Sequence, residues 1–184
     1  FGFEPGDKVL IIGDNAPQWY YAELAAQANH GVSVGLFSDL LPLEIQYIAE
    51  NSEARFAIVE GQEQVDKFLQ IKDELPLLKK VIYWSYKGLT QYEDDILVGY
   101  REALKLGEKY EAKHPGRFEQ NVETGKADDA CAIIFTAGTT AAAPKGVVHT
   151  FRSLLARVAL NQRFVTAEET ETTLCILPTH FGHG

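Results

Sequence analysis

The chain has 184 residues, a formal net charge of −9 and 46% hydrophobic residues. A chain of this length and apolar content can bury a core of its own, which excludes a disordered protein. It contains no run of about 18 apolar residues, so a membrane-spanning helix is not expected. Its acidic total argues against nucleic acid as a partner. Two cysteines, Cys131 and Cys175, are too few for a disulfide framework and fit a reducing compartment.

The sequence opens on Phe1 and contains no Met. We therefore expect a piece of a longer protein. No basic and then apolar leader precedes the first strand-like run, which argues against a secretory signal. We expect a cytoplasmic protein, and both peripheral attachment to a membrane and the oligomeric state stay open.

Strand-like and helix-like segments alternate through the first 84 residues. Buried strands are predicted at 8–13, 32–37, 55–59 and 81–84. Helices are predicted between them, at 17–30, from a cap at Asp39 with Pro42 near the helix start, and at 63–75. The order βαβαβαβ predicts an α/β fold with a mostly parallel sheet and helices on both faces.

Residues 87–127 interrupt this alternation with a charged helical excursion. A helix is predicted at roughly 94–113, followed by Pro115-Gly116 and a second short helix. Its charged residues fall at helical spacing, and we interpret the segment as a solvated surface excursion.

Beyond the excursion, a strand is predicted at 130–135, then a loop and a short strand at Val147-Val148. A helix at about 151–163 and a last strand at 172–177 follow.

The stretch 130–167 contains no acidic residue but four basic ones, namely Lys145, Arg152, Arg157 and Arg163. A basic stretch in an acidic protein favours a small anion such as phosphate. Chance spacing on solvated helix faces is the alternative.

The loop after strand 130–135 carries the residues best suited to chemistry. It reads Phe135-Thr136-Ala137-Gly138-Thr139-Thr140-Ala141-Ala142-Ala143-Pro144-Lys145-Gly146-Val147. Its hydroxyls, glycines and ammonium are the groups that can surround a polyphosphate. It is not a Walker A loop, because that motif has Gly before its Lys and Ser or Thr after it. A surface turn rich in Gly, Thr and Pro is the alternative.

This loop resembles the signature T-S-G-T-T-G-x-P-K-G of the adenylate-forming acyl-CoA synthetases, also called AMP-dependent synthetases and ligases. The matching residues are Phe135, Thr136, Gly138, Thr139, Thr140, Pro144, Lys145 and Gly146. The resemblance continues through 6–9, 13–19 and 147–150 and so covers nearly the whole chain. Segments 46–48 and 52–54 are most similar to long-chain fatty-acid-CoA ligases. The resemblance implies that residues 1–184 form part of the large N-terminal, AMP-binding domain of such an enzyme, incomplete at its C-terminal end.

Two departures from the signature affect the loop. Its serine is Ala137, which removes one hydroxyl, and Ala141-Ala142-Ala143 replaces its second glycine with one residue inserted. If that glycine takes a positive φ, an alanine there costs about 1 to 2 kcal/mol unless the insertion reroutes the loop. Family membership survives these changes, whereas full activity is open.

The resemblance implies a two-step reaction. A carboxylic acid, expected to be a fatty acid, attacks the α-phosphate of ATP in the presence of Mg²⁺, and coenzyme A then displaces AMP to form a thioester. It implies phosphate contacts from Thr136, Ala137, Gly138, Thr139, Thr140, Lys145 and Gly146, with Lys145 as the catalytic residue. The contacts to adenine and ribose, a magnesium-binding glutamate and a mobile lysine lie further along in the family. We therefore expect the 184-residue chain alone to be inactive.

His180 lies in segment 177–180, where the resemblance implies a residue beside the carboxylate substrate. Together with His183 it forms an HxxH pair, but no Cys, Asp or Glu nearby completes a ligand set, so no metal site is predicted. Two alternatives stay open. One is a non-catalytic nucleotide-binding or structural piece of the same fold. The other is a flavodoxin-like or receiver-type domain, which would explain the alternation but not the loop.

Overall fold

The structure is a computed structural model that describes residues 1–136 and 143–161. Within these ranges the strands are β1 (Lys8–Ile12), β2 (Val32–Leu36), β3 (Ala54–Val59), β4 (Lys80–Tyr83), β5 (Leu97–Gly99), β6 (Ala130–Thr136) and β7 (Lys145–Thr150). The helices are α1 (Pro17–Ala28), α2 (Pro42–Ser52), α3 (Gln62–Ile71), α4 (Tyr100–Lys113), α5 (Arg117–Thr124) and α6 (Phe151–Asn161).

All of these strands belong to one sheet, in the order β5-β4-β3-β1-β2-β6-β7. Strands β1 to β6 pair in parallel, and β7 returns antiparallel beside β6. The sequence-based prediction of a mostly parallel α/β sheet is confirmed. This topology leaves the β6–β7 hairpin at the edge opposite β5.

Alternate residues of the central strand β1 enter two separate cores. Leu10 and Ile12 pack in one cluster with helices α2 and α3, whereas Val9 and Ile11 pack with α1 in the other. Successive side chains of a strand point to opposite faces of the sheet, so the continuous apolar run of β1 is buried from both sides. The predicted helices on both faces are therefore present.

Helix α2 begins at Pro42, and the prediction of Asp39 as its cap is wrong. Leu41 occupies the cap position with extended backbone, φ −74° and ψ 155°. A residue before proline is sterically restricted to extended geometry, and proline suits the first helical position because it has no N–H. The Glu44 carboxylate accepts the backbone N–H of Leu41 at 2.7 Å, which completes this helix start.

Strand β5 corrects the predicted helix at 94–113. Three residues, Leu97–Gly99, pair in parallel with β4, and α4 begins only at Tyr100. Asp94 forms a local turn instead of a helix start, because its carboxylate accepts the Ile96 N–H at 3.1 Å and pairs with Lys72. Three residues are too few to give a recognisable strand pattern in the sequence. Their strand conformation depends on the pairing with β4. Helices α4 and α5 bury no residue, as expected for a solvated surface.

The C-terminal elements differ from the prediction in extent. Strand β7 covers six residues instead of the two predicted at Val147-Val148. The helix predicted at 151–163 is described as far as Asn161, and the predicted strand at 172–177 lies outside the described residues. No helix in ranges 1–136 and 143–161 is both long and apolar enough to cross a bilayer.

Candidate functional site

The β6–β7 hairpin holds the two ends of the predicted phosphate loop. Thr136, the last residue of β6, lies in register opposite Lys145, the first residue of β7. Strand β6 runs parallel to its sheet neighbour β2, so Thr136 lies at the end of the sheet formed by the carboxyl ends of the parallel strands. Open α/β sheets bind ligands at this end. The structure therefore brings together the predicted residues Thr136, Lys145 and Gly146.

Four other predicted site residues, Ala137, Gly138, Thr139 and Thr140, fall in segment 137–142, which lies outside the described residues. His180, predicted to line the substrate pocket, and His183 also lie outside them. Their assigned roles stay predictions.

Close packing explains the glycine after Lys145. A Cβ atom added to Gly146 would lie 2.9 Å from Ile133 Cγ2 and 3.1 Å from the Phe135 ring. Both neighbours are side chains of β6, so a side chain at position 146 would require them to shift. On the same hairpin, the Thr136 hydroxyl donates to the Lys145 carbonyl oxygen at 3.5 Å.

The basic residues of stretch 130–167 differ in their electrostatic partners. Arg152 donates two hydrogen bonds to the Asp128 carboxylate, at 2.6 and 2.9 Å, and the guanidinium lowers the pKa of Asp128. Stretch 130–167 itself contains no acid, but Arg152 is paired with an acidic residue that lies just before the stretch. By contrast, Lys145 is exposed and forms no ion pair with any residue in the described part of the chain. Among the described residues, no acidic side chain therefore compensates the charge of Lys145.

Tyr47 of α2 is a site neighbour that the sequence analysis did not assign a role. Its hydroxyl donates to the Pro144 carbonyl oxygen at 3.1 Å, across 97 positions of the chain. Nothing in the spacing of the sequence indicates this contact, because it depends on how α2 packs against the sheet.

The side chains described here do not form a metal site. Within residues 1–136 and 143–161, no three His, Cys, Asp or Glu side chains come together in a way that could hold a metal ion. No described residue is therefore assigned to a metal ion.

Comparison with known proteins decides the family. The family model described as AMP-binding enzyme matches residues 1–184, the whole chain. The chain belongs to the AMP-binding enzyme family. This confirms the resemblance to adenylate-forming acyl-CoA synthetases that the loop residues indicated.

Curated relatives of this AMP-binding chain include long-chain-fatty-acid–CoA ligases. The ligase ACSBG2 of Xenopus laevis is 33% identical over 147 residues, which are 80% of this chain and 19% of that protein. ACSBG2 of Gallus gallus is 31% identical over 169 residues, which are 89% of this chain and 21% of that protein. The chain thus spans about a fifth of the length of the curated relatives it matches.

Solved structures agree with the fold. A Rhodopseudomonas palustris protein assigned as a long-chain-fatty-acid CoA ligase aligns with a TM-score of 0.72 at 16% identity, covering 97% of this chain and 40% of that chain. At this identity the likeness concerns the fold. The shared fold agrees with the mostly parallel α/β sheet described above.

Proposed function

We propose that this chain supplies the phosphate-binding loop of an enzyme that uses ATP to convert a carboxylic acid into an acyl-CoA thioester. The observation that carries the proposal is the hairpin geometry, in which Thr136 faces Lys145 at the carboxyl edge of the sheet. Family membership and the curated relatives, which are fatty-acid CoA ligases, support a fatty acid as the substrate.

Lys145 has the central role in the first step of the proposed reaction. A carboxylate oxygen of the acid attacks the α-phosphorus of Mg-ATP, the bond to the bridging oxygen breaks, and pyrophosphate leaves with the electron pair. The Lys145 ammonium would bind the β- and γ-phosphates and stabilise the charge that develops on pyrophosphate. The predicted Thr139 and Thr140 hydroxyls would add hydrogen bonds to the same phosphates, and the Thr136 hydroxyl would do so by exchanging its hydrogen bond to the Lys145 carbonyl for one to a phosphate.

Coenzyme A acts in the second step. Its thiolate attacks the acyl carbonyl carbon, the carbon–oxygen bond to the phosphate breaks, and AMP leaves. The β- and γ-phosphates have departed by then, so Lys145 is expected to contribute little to thiolysis. This difference between the two steps makes the role of Lys145 testable.

Replacing Lys145 by Ala in the full-length protein should lower adenylation by about 10- to 1000-fold, or about 1.4 to 4 kcal/mol. Pyrophosphate release measures adenylation, and thiolysis of preformed acyl-adenylate by coenzyme A measures the second step and should change much less. Lys113→Ala is the matched control, because Lys113 lies at the end of α4, which follows the opposite edge strand β5. An equal fall of both half-reactions in Lys145→Ala would make Lys145 a folding residue and contradict the proposal.

The altered loop favours a second candidate function, a non-catalytic nucleotide-binding or structural role for the same fold. Ala137 removes a hydroxyl and Ala141-Ala142-Ala143 replaces a glycine of the signature. A full-length protein that binds ATP but releases no pyrophosphate with any carboxylic acid would support this alternative.

A further inference from the structure

Two consecutive carbonyl groups at the exit of the loop accept hydrogen bonds from two different elements. The Lys145 carbonyl accepts the Thr136 hydroxyl of β6 at 3.5 Å, and the Pro144 carbonyl accepts the Tyr47 hydroxyl of α2 at 3.1 Å. The shorter of these contacts comes from outside the hairpin. Helix α2 therefore restrains the loop next to its lysine.

Helix α2 can act as a fixed support because its other face is buried. Ile45 and Ile48, on either side of Tyr47 in sequence, are 0% and 3% exposed and belong to the larger core cluster. Tyr47 itself is 36% exposed, so its ring lies at the surface of the packed helix, where its hydroxyl reaches Pro144. The position of the hydroxyl is thus set by the core.

The Pro144 carbonyl and the Lys145 backbone nitrogen belong to one planar peptide unit. A hydrogen bond that holds the carbonyl oxygen therefore also restricts rotation of the peptide plane and the direction in which Lys145 leaves the backbone. We propose that Tyr47 is a positioning residue that holds the Pro144–Lys145 peptide in the orientation that presents Lys145 to the phosphates of ATP. This inference rests on the proposed function, and Tyr47 acts only through Lys145.

Tyr47→Phe removes only the hydroxyl. Tyr92→Phe is the matched control, since the Tyr92 hydroxyl donates to Asp66 at 2.7 Å and accepts from Gln62 at 2.9 Å. Asp66 and Gln62 belong to α3, and the loop hairpin β6–β7 lies at the sheet edge opposite β5. Both variants therefore lose a hydrogen-bonded tyrosine hydroxyl, but only one loses it beside the loop.

The first measurement tests the anchor without using activity. Trypsin can cut the Lys145–Gly146 bond, and its rate in the full-length protein can be followed by mass spectrometry relative to cleavage after Lys113. Loss of one hydrogen bond should raise the relative rate at Lys145 by about 2- to 10-fold in Tyr47→Phe, with no change in Tyr92→Phe. An unchanged rate in Tyr47→Phe would overturn the proposal.

The second measurement tests positioning. In Tyr47→Phe the KM for ATP should rise about 2- to 10-fold, while thiolysis of preformed acyl-adenylate and the unfolding temperature stay close to those of the unmodified protein. If the KM for ATP rises in Lys145→Ala but not in Tyr47→Phe, the role of Tyr47 is overturned and the proposed function stands. If Lys145→Ala leaves the use of ATP unchanged, the proposed function itself fails, and the positioning role fails with it.

Discussion

Glu23 on α1 and Cys131 on β6 belong to one polar cluster beneath helix α1. Gln27 Nε2 donates to Glu23 Oε1 and to the Cys131 carbonyl oxygen, each at 3.4 Å, and the Ser33 hydroxyl lies 3.2 Å from the same two acceptors. Burial raises the pKa of Glu23, and the hydrogen bond from Ser33 opposes this effect. The Cys131 backbone thus belongs to this cluster, and the Cys131 side chain is fully buried.

Cys131 should be nearly inert to alkylation in the folded protein. Burial raises the pKa of its thiol from 9.0 to about 11, and the nearby Glu23 carboxylate acts in the same direction. Because only the thiolate reacts, the altered pKa alone should slow alkylation at pH 8 by about 100-fold relative to the unfolded chain. Iodoacetamide labelling of a Cys175→Ser variant, with and without urea, measures this difference.

The sign of the pH dependence is a second test of the same prediction. The labelling rate of the folded protein should keep rising with pH above 9, where that of the unfolded chain levels off. Glu23→Gln removes the neighbouring negative charge and should therefore speed the labelling of Cys131. Native-state labelling at the unfolded rate would contradict the burial of this thiol.

At the scale of elements, the hairpin β6–β7 fixes where the loop leaves and re-enters the sheet. Its register sets Thr136 opposite Lys145, and Gly146 packs closely against the Ile133 and Phe135 side chains of β6. The departures from the family signature all lie between these ends or beside them, at Ala137 and Ala141-Ala142-Ala143. They can therefore alter the path of the loop without moving the strands.

Restoring the signature should strengthen phosphate binding. Ala137→Ser together with Gly-Ala in place of Ala141-Ala142-Ala143, in the full-length protein, adds one hydroxyl donor, expected to contribute about 0.5 to 1.5 kcal/mol. The glycine also restores backbone freedom. Calorimetry should show tighter ATP binding, and thermal unfolding separates this effect from a general gain in stability. Unchanged or weaker binding in a folded variant would mean that the inserted loop already follows a competent path.

At the scale of the whole molecule, the described helices leave an open groove between α1, α5 and α6. It has a volume of about 700 Å³ and is lined mainly by apolar side chains, among them Tyr21, Leu24, Phe118, Val122, Phe151 and Leu155. Phe118 and Val122 lie four residues apart on α5, so one face of a helix from the charged excursion is apolar. The surface of the excursion is thus solvated but not uniformly polar.

The 184-residue chain expressed alone should show no turnover. It spans about a fifth of the length of its curated relatives, and one phosphate loop cannot by itself orient an acid, a nucleotide and a thiol. Pyrophosphate release from ATP and a fatty acid should therefore equal that of a Lys145→Ala control. Release above the control would show that these residues suffice for adenylation.

Local sequence patterns determine most of the framework. The apolar runs of β1 to β4 and the helices between them follow from burial on both faces of a parallel sheet, which leaves a continuous hydrophobic signal in each strand. The loop residues between Thr136 and Gly146 point to polyphosphate through their chemistry, and to the family through their order. The strand and helix patterns and the loop motif depend only on residues that are close in the chain, so they can be predicted from the sequence.

Tertiary packing decided the features that depend on distant partners. Strand β5 forms because β4 offers a free edge, a condition that its three residues do not encode. The contact of Tyr47 on α2 with Pro144 exists only because the core fixes α2 beside the hairpin. The raised pKa of Cys131 likewise depends on the assembled fold, because burial of the thiol is its main cause. Hydrophobic periodicity predicts which face of a helix or strand is buried. Which other element covers that face depends on the tertiary structure.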